Sequence, residues 1–157
     1  MKVNDIMTRK PIVVRTKETL NDTVDKLIKN NITGAPVVDD NDEIAGIITD
    51  ADILAVLKEQ TRNLKLMLPS LPLMNITFVE VRKENGDIQQ KIKKILDTPV
   101  EEIMITNVIT TTPEDDVMEA LHLMVKNDVT RLPVIKDKKV VGILTRSDII
   151  RGLARIK

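Results

Sequence analysis

The chain has 157 residues, of which 42% are hydrophobic and 31% are charged, and these proportions exclude an intrinsically disordered protein. Its 24 basic residues balance 24 acidic ones, so it lacks the overall positive field of dedicated nucleic-acid binders. Without cysteine it forms no disulfide or thiolate site, and the single His122 cannot build a metal site alone. The sequence contains no signal-peptide pattern and no apolar run of membrane-spanning length, so we expect a cytoplasmic protein without a membrane partner.

The first third of the chain predicts five elements after the segment VNDIMT at 3–8. A short β-rich run, PIVVRT, precedes a helix that is predicted to bury one apolar face, namely Leu20, Val24, Leu27 and Ile28. The β runs GAPVV and EIAGIIT then flank the polar turn DDND, and a last helix follows Thr49. The predicted order is therefore strand, helix, strand, strand, helix.

The middle of the chain, 58–97, is predicted to be an inserted segment between a first domain at 1–57 and a second domain at 98–157. It contains the apolar stretch LMLPSLPLM, a possible strand NITFVEVRK and a stretch with helical spacing, IQQKIKKIL. Because the segment is too apolar for a free linker, we expect it to pack on the rest of the protein or at an interface between two copies of the chain, with Phe78 in a core.

The last third of the chain repeats the first. GIITDADIL at 46–54 matches GILTRSDII at 142–150, and NNITGAPVV at 30–38 matches NDVTRLPVI at 127–135. Equivalent residues differ by 97 positions before the polar turn that contains DDND in the first copy, and by 96 positions after it. The second copy therefore lacks one residue of this turn. The helix of the second copy is predicted to start at Thr112 and to bury the equivalent face, namely Val117, Leu121, Met124 and Val125.

Each copy contains the pattern Thr-x-x-Asp just before its last helix, as Thr49 with Asp52 and Thr145 with Asp148. One interpretation is a capping box, in which the two side chains satisfy free N–H groups at the helix start. The other is a nucleotide site, because the hydroxyl and the helix N-terminus suit a phosphate and the carboxylate suits ribose hydroxyls. The two roles are compatible, and both interpretations stay open at the level of the sequence.

The doubled pattern resembles a tandem pair of CBS (cystathionine-β-synthase) domains, the Bateman module, over 1–57 and 98–157. The resemblance implies an α/β (α+β) fold in which two β-α-β-β-α repeats pack about a pseudo-twofold axis, with the inserted segment between them. It also implies two clefts that bind adenosyl ligands such as AMP, ADP, ATP, S-adenosylmethionine or methylthioadenosine. Modules of this kind commonly pair into flat homodimers.

The resemblance implies ligand-binding residues in both copies. In the first copy they are Ile12, Ala35, Pro36, Thr49 and Asp52. In the second copy they are Ile109, Leu132, Pro133, Thr145 and Asp148. The apolar members would form an adenine slot, although ordinary sheet core would explain each of them as well. Gly46 and Gly142 are compatible with a close backbone approach and equally with a bulge or tight strand contact.

The two copies carry opposite charge. Residues 126–157 contain nine basic and three acidic side chains, a net charge of plus six, whereas 29–60 contain two basic and seven acidic ones, a net charge of minus five. Arg131 stands where the first copy has Gly34, and Arg146 stands where it has Asp50. Because guanidinium groups grip phosphate oxygens, we expect the cleft with these two arginines to prefer phosphorylated adenosine. We expect the Thr49/Asp52 cleft to be weak, empty or occupied by an uncharged or cationic adenosyl group; solvated surface charge is the alternative explanation.

The last helices carry more apolar residues than one buried face needs, which favours a homodimer unless they are buried between the copies. These residues are Ile53, Leu54, Val56, Leu57, Ile149, Ile150, Leu153 and Ile156. No nucleophile with a base, metal-ligand spacing or phosphate loop is present, so we expect no catalysis.

The predicted function is a regulatory module that senses adenosyl nucleotides and acts through conformation or assembly. A dimerisation scaffold with vestigial clefts is one alternative. A nucleic-acid binder that uses the basic second copy is the other, although the chain has no tyrosine or tryptophan on which single-stranded bases could stack. The sequence does not identify the regulated protein.

Overall fold

A computed structural model of the protein describes residues 1–65 and 88–155. The first repeat contains α1 (Val3–Ile6), β1 (Thr8–Arg9), β2 (Val14–Arg15), α2 (Leu20–Lys29), β3 (Gly34–Val38), β4 (Ile44–Thr49) and α3 (Asp50–Lys65). Helix α4 over 88–96 precedes a 3₁₀ turn (Val100–Glu102), α5 (Val117–Lys126), β5 (Arg131–Lys136), β6 (Lys139–Thr145) and α6 (Arg146–Leu153). The predicted mixed α/β fold with two repeats is confirmed. No helix within the described ranges is long and apolar enough to cross a membrane.

The strands form two three-stranded sheets, in the orders β2-β3-β4 and β1-β6-β5. In the first repeat β2 pairs in parallel with β3, with Val14 opposite Val37. The strand predicted at the equivalent place in the second repeat is reduced to a single parallel bridge between Thr111 and Val134. The second repeat therefore keeps the position of this strand but not its length.

The helix predicted to begin at Thr112 begins at Val117, because Asp115 and Asp116 accept different hydrogen bonds. The Asp115 carboxylate accepts hydrogen bonds from the Thr112 N–H and the Thr111 hydroxyl, both at 2.8 Å, and this closes a turn. Asp116 is the residue that caps α5, since its side chain accepts the Met118 N–H at 2.8 Å. The predicted start was therefore wrong, although the helix itself is present.

The hairpins explain the one-residue deletion between the copies. The first copy connects β3 to β4 through residues 39–43, whereas the second connects β5 to β6 through Asp137 and Lys138. Both of these residues adopt the left-handed conformation, with φ of 50° and 64°. Two consecutive left-handed residues are typical of the tightest β-hairpin turn. β5 and β6 are one residue longer than β3 and β4, respectively, so the deletion of one residue leaves a connection that is three residues shorter.

Each repeat has its own apolar core, and each core includes residues from the first segment of the other repeat. Val3 belongs to the core of the second repeat together with Met124, and Val100 belongs to the core of the first repeat together with Leu20. Accordingly β1 pairs with β6, and Ile105 forms a bridge with Ile47 of β4. The exchange of these segments joins the repeats into one folded unit.

Gly46 and Gly142 allow this exchange. A Cβ on Gly142 would lie 2.6 Å from the sulfur of Met7, and one on Gly46 would collide with the sulfur of Met104. The strand register also shifts beside each glycine, where β3 pairs with β4 and where β5 pairs with β6. Both explanations considered for these glycines, close approach and bulge, therefore apply.

The predicted buried faces of α2 and α5 are narrower than expected. Leu20, Leu27, Val117 and Met124 are buried, but Ile28 is 72% exposed and Val125 is 68% exposed. The prediction that these two residues are buried was wrong. Helical spacing shows which residues share one face of a helix, but it does not show how much of that face a neighbouring element covers.

The inserted segment is described in part. The predicted helix over 88–96 is confirmed, and Ile95 and Leu96 pack against the core of the first repeat. LMLPSLPLM, NITFVEVRK and Phe78 lie outside the described residues, and so does Ile156, which is predicted from the sequence to lie in the last helix.

Candidate functional site

A cleft of about 690 Å³ lies between the two repeats. The stretch after β1 provides one part of its wall through Lys10, Pro11 and Ile12. The beginnings of α3 and α6 provide other parts, with Thr49, Asp50 and Ala51 from the first repeat and Thr145, Arg146, Ser147 and Asp148 from the second. Two helix N-termini, whose free N–H groups favour anions, therefore meet one cavity.

The second-repeat motif forms a complete capping box. The Thr145 hydroxyl accepts the Asp148 N–H at 3.2 Å, while Asp148 Oδ2 accepts the Thr145 N–H at 2.8 Å and the Thr145 hydroxyl proton at 2.6 Å. The remaining oxygen of Asp148, which is 5% exposed, accepts a hydrogen bond from Arg151 at 2.5 Å. The capping interpretation is thus observed, and a ribose at Asp148 would compete with Arg151.

The first-repeat motif forms the same box, but its setting differs. Asp52 Oδ2 accepts the Thr49 N–H at 2.8 Å and the Thr49 hydroxyl at 2.7 Å. Thr49 lines the cleft, whereas Asp52 is not among the lining residues. Ala55 occupies the position equivalent to Arg151, so α3 supplies no guanidinium to its aspartate.

Arg131 crosses from the second repeat to the first. Its Nη2 donates to the Thr33 hydroxyl at 2.5 Å, and its Nη1 lies over Gly34, where a Cβ would be 2.6 Å away. Burial lowers the pKa of the Arg131 guanidinium, although the charges of Asp50 and Asp52 oppose this effect. Because Gly34 and Arg131 are equivalent positions, this contact lies where the repeats face each other across the pseudo-twofold axis.

The cleft is electropositive. Its lining includes the cations Lys10, Arg131, Arg146 and Arg151 against the carboxylates Asp50 and Asp148. Arg146 is about half exposed, and its contact with the fully exposed Asp128, at 3.8 Å, is too long and too solvated to hold it firmly. Arg146 is therefore free to turn toward an anion in the cavity.

The structure brings six of the predicted site residues to the cleft and places the others elsewhere. Those at the cleft are Ile12, Thr49, Arg131, Thr145, Arg146 and Asp148. Those that do not line it are Ala35, Pro36, Asp52, Ile109, Leu132 and Pro133. Ala35 and Leu132 are 1% and 0% exposed and lie in the two cores, which agrees with the sheet-core explanation of these strand residues.

Sequence reasoning missed Lys10, Thr33 and Arg151 as cleft residues, and it placed the two Thr-x-x-Asp motifs in separate clefts. Thr49 and Thr145 were assigned to different clefts but line the same one. Arg151 could have been found, because a residue three positions after Asp148 shares its helical face. Thr33 gave no signal, since its role depends on an arginine 98 residues away in the chain.

These features define a duplicated α/β module with an electropositive cleft between its repeats. The sequence model of the CBS domain matches residues 3–59 and 100–155. The chain therefore belongs to the CBS domain family.

Two relatives match nearly the whole of this chain in sequence. An uncharacterized protein of Methanocaldococcus jannaschii is 36% identical over 98% of this chain and 91% of its own length. The CBS domain-containing protein CBSX2 of Arabidopsis thaliana is 29% identical over 99% of this chain, which spans 64% of that protein.

Solved structures of CBS proteins resemble the whole chain. The crystal structure of CBSX2 in complex with AMP is 25% identical, with a TM-score of 0.71 over 99% of this chain and 97% of that one. The CBS domain pair of protein MJ0100 in complex with 5′-methylthioadenosine and S-adenosyl-L-methionine is 28% identical, with a TM-score of 0.72 over 100% of this chain and 98% of that one.

Proposed function

We propose that the chain is a regulatory, non-catalytic module that senses adenosyl nucleotides in the cleft between its repeats. The observation that carries this proposal is the meeting of the Thr145–Asp148 helix start with Lys10, Arg131 and Arg146 in one cavity. The adenosyl ligands named for the CBSX2 and MJ0100 structures support the ligand class. The cations of the cleft support AMP, ADP or ATP over uncharged adenosyl compounds.

Each part of the cleft has a chemical role in this proposal. Ile12 offers an apolar surface to the adenine, and Asp148 accepts hydrogen bonds from the ribose after Arg151 is displaced. Arg146 and the free N–H groups at the start of α6 bind the phosphate. Since both repeats contribute to the wall, the ligand favours the relative orientation of the repeats that it binds best, and this shift is the signal.

Calorimetric titration with AMP, ATP, S-adenosylmethionine and methylthioadenosine tests the proposal, with Asp148→Ala and Asp52→Ala as matched variants. Both substitutions remove the carboxylate of an equivalent capping box, but Asp148 lines the cleft and Asp52 does not. We expect saturable binding of one ligand per chain that Asp148→Ala abolishes and Asp52→Ala retains.

Two results would contradict the proposal. One is the absence of binding by any of the four ligands to folded, nucleotide-free protein, which would favour the scaffold with vestigial clefts. The other is equal loss of binding in both variants, which would indicate that the cap supports the fold and that Asp148 has no contact with the ligand. Strong salt-dependent binding of RNA would instead favour the basic second repeat as a nucleic-acid surface.

We further propose that the protein forms an antiparallel homodimer through α3 and α6, the last helices of its two repeats. Leu54 and Ile150 are equivalent residues that are 62% and 69% exposed, and the equivalent pair Ile28 and Val125 is 72% and 68% exposed. Over 50–59, α3 has three acidic residues and one basic residue, whereas 146–155 have three basic residues and one acidic residue. Charge complementarity therefore favours the first repeat of one chain against the second repeat of its partner.

A further inference from the structure

Gly34 and Arg131 occupy equivalent positions in the two repeats, yet one has no side chain and the other has the longest cationic one. The guanidinium lies in the space that the glycine leaves, since a Cβ on Gly34 would be 2.6 Å from Nη1 and 2.8 Å from the Ile48 carbonyl oxygen. Nη2 donates to the Thr33 hydroxyl at 2.5 Å. An arginine of the second repeat is therefore seated on the first repeat, at the wall of the cleft.

This position leaves the guanidinium short of acceptors. Its Nε is buried and has no hydrogen-bond partner within the described part of the chain, and Thr33 provides a neutral acceptor. Burial also lowers the pKa of Arg131 despite the opposing charges of Asp50 and Asp52. A half-buried cation with an unpaired donor is stabilised by an anion that can accept from several of its N–H groups.

We propose that Thr33 and Gly34 form a resting seat for Arg131 and thereby set how strongly the cleft prefers anionic over neutral adenosyl ligands. In the empty cleft Thr33 retains the guanidinium. A phosphate competes with Thr33 for it, so the affinity for a phosphorylated ligand includes the cost of breaking this hydrogen bond between the repeats. A neutral ligand has no anion to draw Arg131 from its seat, and its affinity carries no such cost.

The seat also links ligand charge to the contact between the repeats. Movement of Arg131 toward a phosphate removes a hydrogen bond that joins residues 98 positions apart, one in each repeat. Phosphorylated and neutral ligands therefore leave different contacts between the repeats. This inference rests on the proposed function, because it describes how the same cleft selects its ligand.

Thr33→Val tests the inference, because it replaces the hydroxyl by a methyl group of similar size on an exposed residue. Dissociation constants for AMP and adenosine are measured by calorimetry in the native protein, Thr33→Val, Arg131→Ala and the double variant. We expect Thr33→Val to raise the ratio of the adenosine constant to the AMP constant about fivefold, the equivalent of one hydrogen bond. In the Arg131→Ala background the same substitution leaves the ratio unchanged.

An unchanged or lowered ratio in Thr33→Val overturns the inference, and so does a rise that persists without Arg131. Titration with inorganic pyrophosphate provides a readout that does not depend on adenosine, and circular dichroism verifies folding of each variant. Adenosyl binding without the Thr33 effect overturns the inference and leaves the proposed function intact. Pyrophosphate binding that shows the Thr33 effect, without adenosyl binding, overturns the proposed function instead; binding of neither probe overturns both.

Discussion

The thioether of Met7 packs directly over Gly142, and by the duplication the thioether of Met104 packs over Gly46. Each methionine lies near the start of one repeat, and each glycine belongs to the sheet of the other. The two pairs are therefore reciprocal contacts across the pseudo-twofold axis. They fix the exchanged segments, and Met7 is followed directly by the stretch that carries Lys10 and Ile12 into the cleft.

Gly142→Ala is expected to lower the free energy of unfolding by about 1–3 kcal/mol, the usual cost of overpacking a filled site. The added Cβ would lie 2.6 Å from the Met7 sulfur and 3.1 Å from the Thr8 carbonyl oxygen. In Met7→Ala/Gly142→Ala the loss should be smaller than the sum of the two single losses, because truncation of the methionine removes the closest clash. Urea unfolding measures all four proteins, and strictly additive losses would show that the two residues are not coupled.

Asp115→Ala is expected to destabilise the protein by about 1–2 kcal/mol at neutral pH, since Asp115 accepts hydrogen bonds as a charged group. The Thr112 N–H, and after it the Thr111 hydroxyl, lower the pKa of Asp115. A lowered pKa in the folded state means that this stability is present above the unfolded value of about 4 and is lost as the pH falls through the folded value.

The measurement is the free energy of unfolding of native protein and variant between neutral and acidic pH. The difference should be largest near neutrality and should shrink below a pH of about 4. Glu114→Ala is the control, because it removes a neighbouring carboxylate that is 70% exposed and has one long ion pair, at 3.8 Å. A similar loss of unfolding free energy in both variants would mean that any negative charge here stabilises the region, and that the turn closed by Asp115 does not.

Arg146→Ala is expected to weaken AMP binding about tenfold, the equivalent of one charge-assisted hydrogen bond, with a smaller effect on adenosine. Arg146 lines the cleft and is held by a single exposed partner. Arg155→Ala removes the same charge after the end of α6, where Arg155 lies outside this cleft. Calorimetry of both variants checks the prediction, which fails if the two substitutions weaken AMP equally.

The dimer arrangement is tested by Leu54→Lys, Ile150→Asp and the double variant. In an antiparallel dimer residue 54 of one chain faces residue 150 of the other, so each single variant should give monomers. The double variant should regain a dimer, because each interface then pairs a lysine with an aspartate. Sedimentation analysis measures the mass of each variant; a double variant that stays monomeric would contradict the antiparallel arrangement and favour pairing of like repeats.

Several parts of the fold could be predicted because they depend on local physics. The strand–helix–strand–strand–helix order follows from hydrophobic spacing, and the boxes at Thr49 and Thr145 follow from residues three positions apart. Errors arose where local signals compete, as at Thr112, where Asp115 closes a turn and Asp116 takes the cap.

The duplication, the element order, the capping boxes at Thr49 and Thr145 and the charge difference between the repeats could be read from the sequence alone, since each is a property of nearby residues or of their comparison. The tertiary structure decided that Met7 and Met104 cross to the opposite repeat, that Thr49 and Thr145 share one cleft and that Arg131 lies on Gly34. These contacts join residues between 58 and 135 positions apart in the sequence, and they depend on how two sheets pack together, which no local pattern specifies.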